Sequence, residues 1–255
     1  MSSNLLLPTT QLAPALSLVG VSRTFRPVDG KILDNINLEV KQGEFLSIVG
    51  ASGCGKSTLL SIICGLDKDY AGTATSQLPT TLMFQDSALL PWLSVLQNVE
   101  LPMQLQGRPK AERTATAKDL LERMDLRNVF EKRPHELSGG MRQRVAIARA
   151  LAQESKILLM DEPFGALDAI TRDVLHDELS KVWSENSLTV VFVTHNVREA
   201  VRLGQRVILM GSRPGTFIKE WGIDMPEPRR IDTAEVAEMA SEITDELRKE
   251  IRRHG

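Results

Sequence analysis

Cysteine is scarce: Cys54 and Cys64 are the only two in 255 residues. That excludes a disulfide framework and points to a reducing compartment. Long apolar runs are missing as well, and none approaches the roughly 18–20 residues that a membrane span needs. Charge of one sign is also lacking. The 31 Lys and Arg residues against 33 Asp and Glu leave a formal net charge of −2, which offers nucleic acid no basic stripe. No internal repeat, low-complexity tract or Cys-x-x-Cys pair occurs. Residues 1–15 carry Leu5–Leu7 but no basic segment, and Pro8 cuts the apolar stretch short, so they read as a disordered tail rather than a secretion signal.

What is present is ordinary in bulk, with 42% hydrophobic and 25% charged residues. The length allows one large domain, or one domain with a subdomain inserted. Four apolar runs each end on one polar residue. Phe45–Val49 runs into Gly50, Thr81–Phe84 into Gln85, Ile157–Met160 into Asp161 and Val190–Thr194 into His195. Continuous apolar runs mark parallel strands buried on both faces, and ligands bind at the carboxyl edge of such sheets. One sheet edge is therefore expected to collect a glycine loop, an amide, two carboxylates and an imidazole.

Around these runs, Leu16–Phe25 and Ile36–Val40 alternate like half-exposed strands, whereas 72–79 is polar and turn-rich. A helix is expected from Ser57 to about Gly65. Between about 86 and 138 the texture changes: Pro91, Pro102, Pro109 and Pro134 punctuate short amphipathic stretches such as Arg113–Met124, with Leu120, Leu121 and Met124 on the apolar side. This reads as a helical insert. Alternation resumes with helices Gly140–Gln153, Ala169–Ser184 and Val197–Leu203 and strands Ile157–Met160, Leu188–Thr194 and Arg206–Met210. The stretch 211–228 reads as a Pro- and Gly-rich crossing. A last amphipathic helix carries Val236, Met239, Ala240, Ile243, Leu247 and Ile251 on one face, and is expected to pack on its own domain. Asp232 and Glu235 have the spacing of a capping box at its start. Residues 16–255 are thus expected to form a single domain, with an insert at 86–138 and a C-terminal extension at 211–255.

The chemistry starts at Gly50-Ala51-Ser52-Gly53-Cys54-Gly55-Lys56-Ser57-Thr58, a full match to the phosphate-binding loop. Its glycines let backbone N–H groups turn inward around phosphates. Lys56 reaches the same phosphates, Ser57 offers a hydroxyl to Mg2+, and the following helix points its positive end at the anion. Asp161 ends a strand as the Mg2+-holding acid of such sites does. Glu162, next along, suits a general base. Ser138, Gly139 and Gly140 precede another helix and leave its first N–H groups bare, a second anion site. That site is surplus for one nucleotide and makes sense against the γ-phosphate of a second copy. Cys54 is expected to favour its thiolate within the loop, with a buried, inert cysteine as the alternative.

From Leu16 to Met210 the chain, with these motifs, resembles the nucleotide-binding subunits of ATP-binding cassette (ABC) transporters. The resemblance implies an α/β fold: a P-loop NTPase core with a mostly parallel sheet, an N-terminal antiparallel β-subdomain and an inserted α-helical subdomain. It implies ATP and Mg2+ as ligands, hydrolysis with Glu162 as base, and a head-to-tail dimer holding two ATP. Phe25 resembles the aromatic that stacks on adenine, Gln85 the glutamine linking Mg2+ to the insert, Asp168 the acid that crosses the dimer interface, and His195 the histidine contacting the γ-phosphate. Taken alone, His195 also reads as a strand-end residue and Phe25 as core. His135, His176 and His254 match nothing and read as surface residues. Arg142, Arg144 and Arg149 read as a solvated helix side.

Within the family, Phe84-Gln85-Asp-Ser-Ala-Leu-Leu-Pro91-Trp92, Pro163-Phe-Gly-Ala-Leu-Asp168, Ser212-Arg-Pro-Gly215 and Pro226-Glu-Pro-Arg229 resemble the importer branch for nitrate, sulfonates and taurine. The implied partners are a transmembrane permease and, through it, an extracytoplasmic solute-binding protein, with no nucleic acid. The implied place is the cytoplasmic face of the membrane. Soluble DNA-repair and translation ATPases share the catalytic head. The interval from Lys56 to Leu137, however, lacks the coiled coil or zinc segment of the former, and one head rather than two argues against the latter.

Overall fold

The computed structural model describes residues 13–254 apart from 27, 29 and 166. The half-exposed runs pair first: β1 (Leu16–Arg23), β2 (Leu33–Val40) and β4 (Ala71–Ser76) form an antiparallel sheet in the order β2-β1-β4. The continuous runs build the central sheet among the described residues. Its strands are β3 (Phe45–Gly50), β5 (Thr80–Met83), β6 (Ile157–Asp161), β7 (Thr189–Thr194), β8 (Arg206–Met210) and β9 (Phe217–Gly222), in the order β5-β6-β7-β3-β8-β9. The first five neighbours are parallel, and only β9 runs antiparallel on the edge. Every residue of β3, β6 and β7 is buried, which is why these strands carry no polar alternation.

The two faces of β3 feed different cores. Phe45 packs edge-on to Trp183, with ring centroids 5.7 Å apart, and joins the cluster under the helical segment. Leu46 and Ile48 face the other way, toward the small sheet and α1 (Lys56–Ile63). Each fully buried side chain of this size contributes roughly 1.5–3 kcal/mol, so the strand that delivers the glycine loop is also among the best anchored. The helical segment consists of α2 (Val95–Leu105) and α3 (Lys110–Arg123), with a short 3₁₀ turn at Pro134–Glu136. The chain returns through α4 (Gly139–Leu151), then α5 (Ala169–Asn186) and α6 (Val197–Leu203), and closes with α7 (Ala234–His254). The expected packing of α7 on its own domain holds: Val236, Ala240 and Ile243 are buried against Val201, Val207 and Trp221.

Several expectations are corrected. Ala15, assigned to the tail, is fully buried, and its N–H donates to Val40 O; residues 1–12 of that tail lie outside the described ones. The turn-rich 72–79 overlaps most of β4, and the crossing 211–228 contains β9. Both are edge strands held by hydrogen bonds to one neighbouring strand, β9 also through its buried Trp221. At Gly72, φ is 91° and an added Cβ would sit 2.5 Å from Gly20 O, so the close approach of β4 to β1 requires glycine. Pro102 does not punctuate the insert but lies inside α2. Asp232 gives its carboxylate to Arg230, and the hydroxyl of Thr233 accepts the Val236 N–H instead of the expected capping box. Among the described residues no helix is long and apolar enough to cross a membrane.

Candidate active site

The parallel strands bring their carboxyl ends to one edge, as the sequence implies. At the end of β3, the loop from Gly50 turns into α1, whose N-cap is Gly55 at φ 104°, a conformation that L side chains rarely adopt. The Lys56 ammonium is buried beneath this loop and donates to Gly50 O and Ala51 O, each at 2.9 Å. Ser57 follows as the second residue of α1 and hydrogen-bonds the Asp161 carboxylate. Burial, reinforced by the charge of Glu162, pushes Asp161 above the ordinary carboxylate range, against the pull of Ser57 and Lys56. A carboxylate under that load is stabilised by a cation.

A hydroxyl and one carboxylate are hard oxygen donors, and Mg2+ is usually held by one or two carboxylates plus phosphate oxygens. The residues present therefore fit Mg2+. Among the described residues no cluster of three His, Cys, Asp or Glu could hold a metal by itself.

Glu162 leaves β6 with φ 45°, a strained setting for a non-glycine residue, fixed by its N–H donating to Val193 O at 2.9 Å. The strain turns its carboxylate to His195, whose Nδ1 lies 2.9 Å from Glu162 Oε2. The Glu162 side chain is 15% exposed and that of His195 61%, so the pair joins a shielded base to an accessible imidazole. His195 thus ends β7 with its ring turned to Glu162.

The other expected residues sit further out. Gln85 is exposed just past β5. Phe25 is 54% exposed rather than core, and the guanidinium of Arg23 lies 4.5 Å from its ring centroid. Ser138 caps α4 by accepting the Met141 N–H, with Gly139 and Gly140 in the first turn. Asp168 caps α5, accepting from Thr171 N and Oγ1 at 3.0 and 2.7 Å, and these bonds hold its carboxyl below the usual range.

Three expectations at the site are overturned. Cys54 is 1% exposed, and burial pushes its thiol up despite Lys56 nearby, so the inert alternative holds. Iodoacetamide at neutral pH is therefore expected to leave Cys54 unmodified with or without ATP, by peptide mass spectrometry; rapid labelling of native protein would contradict this. His176 is fully buried rather than superficial. It packs edge-on to Phe164 at 4.6 Å, and burial beside Arg202 and Arg172 lowers it to about 3. His135 is exposed as expected, while the side chain of His254 lies outside the described residues. Arg142, Arg144 and Arg149 are not a solvated side, since each donates to backbone carbonyls. Arg149 reaches Ser87 O and Ala88 O, both at 2.8 Å, and so ties α4 to the segment after Gln85. No sequence signal marks that role, because its partners are main-chain atoms about 60 residues away.

A glycine loop between strand and helix, a strand-end acid hydrogen-bonded to the loop serine and a carboxylate–imidazole pair beside them define a phosphate-loop nucleotide site. A family model described as ABC transporter matches residues 33–165. The nitrate import ATP-binding protein NrtD of Synechocystis sp. is 46% identical over 221 residues, covering 83% of this chain and 83% of that protein. The aliphatic sulfonates import ATP-binding protein SsuB of Bacillus licheniformis is 43% identical over 206 residues, 78% of this chain and 80% of that protein. Among solved structures, the dimeric post-hydrolysis state of the ATP-binding cassette MJ0796 bound to ADP and Pi is 36% identical, with a TM-score of 0.74, covering 83% of this chain and 100% of that chain. The chain belongs to the ABC transporter family, as an ATP-binding cassette.

Proposed function

We propose that this chain binds and hydrolyses ATP to power uptake of a small anionic solute, of sulfonate, taurine or nitrate type, through a separate permease. The observation that carries the ATPase reading is the shared sheet edge, where Lys56, Ser57 and Asp161 adjoin the Glu162–His195 pair. The solute class is supported by the two importer relatives, whose names specify nitrate and aliphatic sulfonates.

In this reading the amides of Gly50–Thr58 and the Lys56 ammonium hold the phosphates, and Phe25 stacks on adenine. Ser57, Asp161 and Gln85 would hold Mg2+, which would neutralise phosphate charge. With Glu162 Oε2 engaged by His195, Glu162 Oε1 takes the proton of the attacking water. His195 keeps that carboxylate aimed and touches the γ-phosphate. Ser138, Gly139 and Gly140 of a second copy close over the same phosphate, with Asp168 crossing between copies, so a head-to-tail pair holds two ATP. Residues 16–255 act as one domain, the 86–138 insert meets the permease at the cytoplasmic face, and a solute-binding protein is reached only through that permease. The test is phosphate release by purified protein with ATP and Mg2+, and solute uptake by the assembled complex. ATP-independent uptake, or no hydrolysis by a folded complex, would overturn the reading.

Trp92 supplies a finer test of the permease contact. It is 65% exposed, whereas its neighbour Leu89 packs against the large core, so Trp92 is not a core residue of the insert. Exposed aromatics of this kind carry roughly 2 kcal/mol at an interface, or about 30-fold in affinity. Trp92→Ala is expected to weaken permease co-purification by about that factor, while melting temperature and isolated ATPase stay at wild-type values. Normal permease binding by the folded variant would rule the contact out.

A further inference from the structure

The catalytic pair is held from behind by a residue outside every motif read from the sequence. Glu199 lies on α6 with its side chain 5% exposed. Its Oε2 accepts from Thr194 Oγ1 at 3.0 Å, and its Oε1 accepts from Asn196 Nδ2 at 3.1 Å. These are the residues on either side of His195, and Asn196 N–H donates back to Thr194 Oγ1 at 3.0 Å. One carboxylate therefore grips both ends of the turn that presents the imidazole to Glu162.

The same carboxylate has a second arm. Its Oε1 lies 3.3 Å from Arg172 Nε, and Arg172 Nη2 donates to Leu167 O at 2.8 Å. Leu167 immediately precedes Asp168, whose carboxylate caps the helix that carries Arg172. The His195 turn and the Asp168 turn are thus joined through two side chains, although 27 positions separate Arg172 from Glu199 in sequence. A buried carboxylate is costly unless its oxygens are occupied; Thr194 and Asn196 occupy them by hydrogen bonds, and the Arg172 guanidinium adds an ion pair from the other side. Moving either turn leaves a buried charge short of a partner, so the two have reason to move as one.

We propose that Glu199 is a positioning residue that locks the His195 turn to the Asp168 turn, so that docking of a second copy at Asp168 sets the hydrolytic geometry at Glu162 and His195. The inference rests on the proposed ATP hydrolysis across a pair of copies. It adds no chemical step: with its carboxylate engaged by Thr194, Asn196 and Arg172, Glu199 acts through the angle of an imidazole. A displacement of about 1 Å at a reacting group costs on the order of 100-fold in rate.

The experiment compares wild type, Glu199→Gln and Arg172→Gln, with steady-state phosphate release normalised to bound ATP. Glu199→Gln keeps the shape and one acceptor oxygen, but removes the negative charge facing Arg172 and places an NH2 where Thr194 Oγ1 donates. Its kcat is expected to fall on the order of 100-fold, with KM for ATP within about twofold of wild type, the signature of an interaction used only in the transition state. Arg172→Gln cuts only the arm to Leu167. Its kcat is expected to fall by a smaller factor, about 2- to 30-fold, and its Hill coefficient for ATP to drop to 1. If Glu199→Gln does not fold, Arg172→Gln carries the test alone, its side chain being 27% exposed. Wild-type kcat in a folded Glu199→Gln, an unchanged Hill coefficient in Arg172→Gln, or a loss that merely tracks lost ATP-binding sites overturns the coupling. A wild type that hydrolyses no ATP removes the proposed function itself, and the two failures are therefore distinguishable.

Discussion

Glu162→Gln is expected to lower ATP hydrolysis by about 10²–10⁴-fold, the span of general-base contributions, while leaving ATP affinity near wild type. The amide keeps the carboxylate's shape, so it can still occupy the φ 45° turn after β6 and still face His195. What it loses is basicity. Asp161, the proposed Mg2+ ligand, is not harmed by the change. The Glu162 charge is one of the causes raising Asp161, after burial, so removing it leaves Asp161 easier to ionise and no poorer as a ligand. Phosphate release and ATP binding measured on one preparation separate the two functions. A rate within about threefold of wild type would show that another group activates the water, because a positioned base contributes far more than that.

Lys56→Ala is expected to act at the other step and to remove ATP binding by about 10²–10⁴-fold. Lys56 is 5% exposed and its ammonium already lies against the loop, donating to Gly50 O and Ala51 O. Hydrogen bonds from a charged donor contribute about 1.5–3 kcal/mol each. Two of them to phosphate oxygens amount to roughly 3–6 kcal/mol, at 1.4 kcal/mol per factor of ten. Titration calorimetry with ATP and Mg2+ reads the loss directly, and a melting curve shows whether the loop survives. Affinity within about fivefold of wild type would mean that the loop amides alone hold the phosphates.

The sequence made part of this molecule legible for a physical reason. A strand covered on both faces must be apolar throughout, so β3, β6 and β7 announced themselves, and the residue at the end of each run marked the functional edge. The phosphate loop was legible because its chemistry is contiguous: one strand, one turn and one helix supply it. The edge strands β4 and β9 were hidden because their stability comes from hydrogen bonds to β1 and β8, and their side chains stay largely exposed. His176 was misjudged because the element covering it is not local. Phe164 and Arg202 arrive from a loop and from α6 to bury it. At Cys54, proximity to amides and to Lys56 suggested a low thiol pKa, and burial outweighed both. The braces Arg149 and Glu199 escaped notice because their partners converge only after folding, two carbonyls in one case and two turns in the other.

The central claim is that one ATP is held by two copies of this chain, with Lys56 on one side and Ser138 on the other. Within a single copy the Ser138 hydroxyl caps its own helix. The most direct measurement is the solution mass of Glu162→Gln by size-exclusion chromatography with light scattering, with and without ATP and Mg2+. The account predicts a single-chain mass without nucleotide and twice that mass with ATP and Mg2+, reverting when Lys56→Ala is added. A single-chain mass at saturating, demonstrably bound ATP would contradict it.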